Sequence, residues 1–143
     1  MNTEEKVARK IKNLQGYVDF LRKYPASEQE LKDDHLLRSA IERNLQLAIE
    51  CALDIGEVII SYENLEKPEE YQGIIIILGK EGVIPEEFAD RFREAAKLRN
   101  ILVHMYTEVD PAILSMILEK NLDDFDEYVQ YIAKFLNKKK MVQ

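Results

Sequence analysis

With 143 residues and 46% hydrophobic side chains, the chain has the length and apolar content of one domain with a real core, and a single domain over residues 1–143 is expected. A formal net charge of −7 argues against broad, electrostatically driven nucleic-acid binding, so any RNA contact would need a local cationic cleft in an otherwise acidic surface. The lone cysteine, Cys51, excludes an internal disulfide and a cysteine metal cluster, and reads as core filling.

Glycine and proline are scarce, with 5 and 4 copies, which favours helices over strands, and an all-α bundle is expected. The N-terminus is charged and lacks an apolar signal core. The longest apolar runs, Gly73 to Gly79 and Ile101 to Val103, are too short to span a bilayer, so no membrane association and a cytoplasmic location are expected.

In chain order, the first helix is predicted from about Thr3 to Tyr24, with Val7, Ile11, Leu14, Val18 and Leu21 forming one apolar stripe. Ser27 followed by Glu30 is a capping-box pattern, predicting a second helix that runs from there to about Tyr62. On it Ser39, Arg43, Gln46, Glu50, Asp54 and Glu57 fill a narrow polar sector. The remaining circumference is apolar, which makes the helix central or part of a subunit interface.

The run Ile74 to Leu78 is read as a short helix because no other segment would pair with it as a strand. Gly79 and Gly82 bracket a turn, and Pro85 suits the first position of the next helix. Asp110 with Pro111 marks another start. That last helical region should reach about Asn137 with a break near Asn121, where Asn121 with Asp124 could cap a new segment. The closing Lys138, Lys139 and Lys140 are expected to lie on a frayed, solvated end.

The helix that starts at Pro85 leads through Phe88, Phe92 and Ala95 into Arg99-Asn100-Ile101-Leu102-Val103-His104-Met105-Tyr106. RNA can be cut without a metal when its 2′-hydroxyl attacks the neighbouring phosphorus. That step needs a group to take the proton and positive charge to stabilise the phosphorane. A histidine near neutrality suits the first role and assigns it to His104; a planar, permanently charged guanidinium suits the second and assigns it to Arg99. Asn100 could orient phosphate or ribose, and Arg93 and Lys97 could bind flanking phosphates.

Each of these residues also has an ordinary reading. His104 suits a helix C-terminus, where positive charge is favoured. Arg99 could cover the apolar face with its stem and reach a carboxylate such as Asp54 with its head. Arg93 and Lys97 could be solvated-face charges, and Tyr106 a core tyrosine. On an uninterrupted helix Phe88, Phe92, Ala95, Arg99, Leu102 and Tyr106 share a face, while Arg93, Lys97, Asn100 and His104 line nearly the opposite one. Arg99 and His104 would then stand about 140° apart. Either the helix distorts, or convergence comes from a second copy of the chain. His35 has no histidine or cysteine partner at ligand spacing and receives no role, and no metal site or cofactor is expected.

The block Arg99 to Tyr106 resembles the R-x4-H-x-Y signature of HepT-like toxins in the HEPN family, with asparagine directly after the arginine as is common there. The run Glu42 to Gly56 is similar to the long second helix of these proteins, so the resemblance covers most of the chain. It implies an all-α HEPN-type bundle of four to six helices, metal-independent RNase activity, and a homodimer with one motif per subunit across a two-fold cleft. It also implies a minimal nucleotidyltransferase antitoxin as partner, which neutralises the toxin by transferring AMP to the motif tyrosine, here Tyr106. Two other functions stay open: a non-catalytic HEPN subunit that binds nucleotide or substrate for a nucleotidyltransferase, which the acidic charge favours, and a plain helical dimerisation module.

Overall fold

The computed structural model describes the backbone of residues 1–104 and 109–142, with side chains through Lys140. All regular structure among them is α-helical: α1 (Thr3–Lys23), α2 (Glu28–Asp33), α3 (His35–Tyr62), α4 (Tyr71–Lys80), α5 (Glu86–Val103), α6 (Pro111–Lys120) and α7 (Leu122–Val142). Helix α1 begins where Asn2 accepts a hydrogen bond from the Glu5 amide at 2.9 Å. Its stripe of Val7, Leu14, Val18 and Leu21 is buried, with Ile11 packed at the margin, and lies along α3.

Ser27 forms the expected capping box, its hydroxyl accepting from the Glu30 amide while the Glu30 carboxylate accepts from the Ser27 amide. The single helix expected from there to Tyr62 is instead two. Asp34 adopts an extended backbone (φ −113°, ψ 92°), and its carboxylate accepts from the Leu37 amide at 3.0 Å, which starts α3 afresh. This break, with the one at Asn121, brings the described helices to seven.

Helix α3 is the central element. Ten of its residues, from Ile41 to Ile60, are buried, and it packs against α1, α2, α4 and α5. The run Ile74 to Leu78 is helical, within α4. Gly79 belongs to that helix and not to the turn after it: a methyl placed there would stand 2.6 Å from the Ala89 Cβ, so its lack of a side chain is what lets α4 and α5 meet. The turn itself is made by Gly82, at φ +75°. Pro85 stands just outside α5, capping it with an extended backbone, and the helix proper begins at Glu86.

Helix α5 is fixed to α7 by aromatic packing. The Phe92 ring lies 4.8 Å from Tyr128, 5.7 Å from Phe125 and 5.1 Å from Phe88, and Phe88 meets Tyr131 at 5.1 Å. Arg91 adds ion pairs to Asp124 and Glu127 of α7. The C-terminal lysines are ordered on a helix: Lys139 pairs with Glu63 and Lys140 with Glu4, each at 3.0 Å. Lys139 and Lys140 are therefore tied to neighbouring acids on a helix, where a frayed end is expected from sequence.

Candidate active site

The fold aims the end of α5 at solvent. Arg99 sits one turn before the helix ends, whereas His104 is the C-cap, exposed and with extended backbone (φ −79°, ψ 113°). The separation of about 140° expected for this pair assumed a continuous helix. Because α5 stops at Val103 and His104 has an extended backbone, the pair is not bound by that geometry. Tyr106, the expected modification site, lies outside the described residues. Beyond them, Arg38 of α3 donates to the Val109 carbonyl at 2.6 Å and pairs with Glu42 at 2.9 Å, which anchors the chain where it turns toward α6.

Arg99 is only 21% exposed along its side chain and is held by three different helices. Its Nε lies 3.6 Å from the Glu50 carboxylate of α3, its Cζ lies 4.3 Å above the ring of Tyr71 at the start of α4, and its Nη1 lies 3.4 Å from the Asn100 side-chain oxygen. Gln46 in turn donates to the same Glu50 oxygen at 3.2 Å. A carboxylate partner on α3 was expected, but it is Glu50; Asp54, one turn further on, pairs with Lys10 of α1 at 3.7 Å instead. Sequence reasoning placed Glu50 in the polar sector of its helix without a role. It passed over Tyr71 altogether, since no spacing rule links the start of α4 to the end of α5.

Two of the other cations near the motif are compensated by acids. Lys97 is exposed and pairs with Glu94 at 3.2 Å, and Arg91 is committed to α7. Arg93 is half-buried, not fully solvated, and its Nε has no hydrogen-bond partner. A polar cleft of about 330 Å³, lined by Glu69, Glu70, Tyr71, Gln72, Lys97 and Asn100, lies beside Arg99. A larger, mostly apolar cavity of about 510 Å³ opens between α5, α6 and α7 and includes Leu98, Ile101, Ile113, Met116 and Ile117. Neither is lined by His104. Cys51 is half-buried, and burial, with Asp54 next, pushes its thiol up from the usual range, so it is a poor nucleophile. His35 begins α3 on the exposed surface.

Among the described residues no group of three or more His, Cys, Asp or Glu side chains is placed to hold a metal ion, and no helix is long and apolar enough to cross a membrane. A family model described as Ribonuclease HepT-like matches residues 11–132. The mRNA nuclease HepT of Shewanella oneidensis is 24% identical over 88% of this chain and 95% of its own length. The tRNA nuclease HepT of Aphanizomenon flos-aquae is 32% identical over 84% of this chain and 82% of its own. In fold, the chain is similar to the solved structure of the tri-AMPylated Shewanella oneidensis HEPN toxin in complex with MNT antitoxin, with a TM-score of 0.84 over 94% of this chain and 99% of that one at 24% identity. The chain belongs to the HepT-like ribonuclease family.

Proposed function

We propose that this chain, acting as one domain over residues 1–143, is the RNA-cleaving toxin of a two-gene toxin–antitoxin system. The observation that carries this reading is the family match over residues 11–132, which spans a half-buried Arg99 followed, at the helix cap, by an exposed His104. The reaction is intramolecular attack of the RNA 2′-hydroxyl on the adjacent phosphorus. His104 takes the hydroxyl proton, and Arg99 stabilises the charge that builds on the phosphorane oxygens. Asn100, already against the guanidinium, orients phosphate or ribose; Arg93 and Lys97 serve flanking phosphates. No metal or cofactor enters the scheme.

The compensated charges around the motif favour a site completed by a second copy of the chain. A two-fold homodimer would place two motifs in one cleft, Arg99 of one copy beside His104 of the other, and the imidazolium formed there would protonate the leaving 5′-oxygen. The partner would be a minimal nucleotidyltransferase antitoxin, and transfer of AMP to Tyr106 would put a bulky anion beside Arg99 and His104, occupying the phosphate site and repelling RNA. Two of the similar nucleases are named for mRNA and tRNA cleavage, and the Shewanella structure pairs its toxin with an MNT antitoxin; both support the reading. An RNA substrate also fits a cytoplasmic location.

Cleavage of RNA by the purified chain should persist in excess EDTA and leave 2′,3′-cyclic phosphate ends. Loss of activity with chelator, restored by magnesium or manganese, would contradict it. The second reading, a non-catalytic binding subunit, is favoured by the pairing of Lys97 with Glu94 and of Arg99 with Glu50. That reading predicts no cleavage and no growth arrest on expression, whereas the toxin reading predicts arrest relieved by Arg99→Ala or His104→Ala.

A further inference from the structure

The surroundings of Arg99 are more specific than a surface arginine requires. An arginine side chain free in water samples many rotamers, and a phosphate would have to select the one that presents its planar fork. Here the Nε edge is turned inward toward Glu50, and Nε itself is buried without a hydrogen bond, since 3.6 Å is a charge contact and too long for one. One face of the guanidinium lies over Tyr71 at 4.3 Å. Asn100 meets Nη1. The Nη groups, whose contact with Asn100 is no shorter than 3.4 Å, are the end of the fork left for an anion. The restraint is itself restrained: Gln46, one turn back on α3, holds the Glu50 oxygen at 3.2 Å.

We infer that Glu50 and Tyr71 are positioning residues that fix the Arg99 guanidinium for the phosphate undergoing attack, an inference that rests on the RNase reading above. Two effects of Glu50 compete. Its negative charge weakens phosphate binding in the ground state, while its grip on Nε fixes the fork in the orientation the phosphorane needs. If positioning dominates, removing Glu50 lowers turnover; if charge dominates, it tightens binding and leaves turnover intact or raises it. The Tyr71 hydroxyl is not part of the contact, so only the ring should matter.

The test measures kcat and KM on a labelled, mixed-sequence single-stranded RNA. Glu50→Ala and Tyr71→Leu should each lower kcat by about tenfold or more, the loss expected when a reacting group is misplaced, with KM little changed. Tyr71→Phe, which keeps the ring face, should stay within about twofold of the parent. Neither Glu50→Ala nor Tyr71→Leu should lower the residual rate of Arg99→Ala, because the group they hold is gone. Should Glu50→Ala fail to fold, as judged by circular dichroism, Glu50→Gln keeps the volume and is judged by the same criteria. Unchanged or raised kcat in the Glu50 variants, a loss confined to KM, or a Tyr71→Phe as damaged as Tyr71→Leu would each overturn the inference while leaving the RNase reading standing. A parent chain that cuts no RNA would overturn the RNase reading, and this inference with it.

Discussion

At the scale of single residues, two tyrosines contrast a structural use of the side chain with a proposed functional one. Tyr128 is fully buried, and its hydroxyl donates to the Ala52 carbonyl of α3 at 2.7 Å. Burial alone pushes the phenol far above its usual range, so it stays neutral and serves packing. Tyr128→Phe keeps the ring among Phe92 and its neighbours and loses one buried hydrogen bond. The Ala52 carbonyl lies within α3, so the variant should lose only about 1 kcal/mol of stability in urea denaturation. Tyr106 is the proposed AMP acceptor, and Tyr106→Phe removes only the acceptor oxygen. Expressed with its nucleotidyltransferase, that variant should remain toxic, while the parent gains adenylyl mass at Tyr106 and loses toxicity. A Tyr106→Phe protein neutralised as well as the parent, with no adenylyl mass on the parent, would remove the modification from the proposal.

At the scale of elements, glycines at different helix positions should respond in opposite directions to the same change. Gly79→Ala places a Cβ 2.6 Å from that of Ala89, and neither atom can rotate away, so α4 and α5 must separate. Overpacking of this kind costs about 1–3 kcal/mol, enough to outweigh the better helix propensity of alanine. Gly16 is exposed on α1 with nothing within 4 Å of an added methyl. There the propensity term acts alone, and Gly16→Ala should stabilise by about 0.5–1 kcal/mol. Thermal unfolding of the two variants beside the parent checks both signs. Equal destabilisation by the two would show that the α4–α5 contact is not what Gly79 serves.

At the scale of the whole molecule, exposed apolar side chains gather near the motif: Ile101 and Val103 at the end of α5, Ile113 and Met116 on α6. They accompany a site in which Arg99 and Lys97 each face an acid of the same chain. A homodimer at micromolar concentration is therefore the expected result of sedimentation analysis, and a monomer would remove the composite-site proposal. Mixing distinguishes the arrangement further. If each site takes Arg99 from one copy and His104 from the other, an equal mixture of Arg99→Ala and His104→Ala proteins should recover about a quarter of parent activity, since half the dimers are mixed and each holds one intact site. Sites built within single subunits would recover nothing.

The local signals were legible along the chain because they depend on residues close in sequence: the α1 stripe, the Ser27 capping box, the helical run up to Gly79 and the break at Asn121. Asp34 was legible in principle, as an N-cap residue, but the continuous apolar pattern on either side of it argued for one long helix. What only the tertiary structure decided was pairing across the chain. Which acid meets Arg99 depends on how α3 rotates against α5, and a difference of one turn separates Glu50 from Asp54. That Tyr71 lies beneath the same guanidinium follows from the close approach of α4 to α5 that Gly79 permits. Helical periodicity specifies a face, but packing of one face against another selects the residue, and that selection is a property of the assembled core.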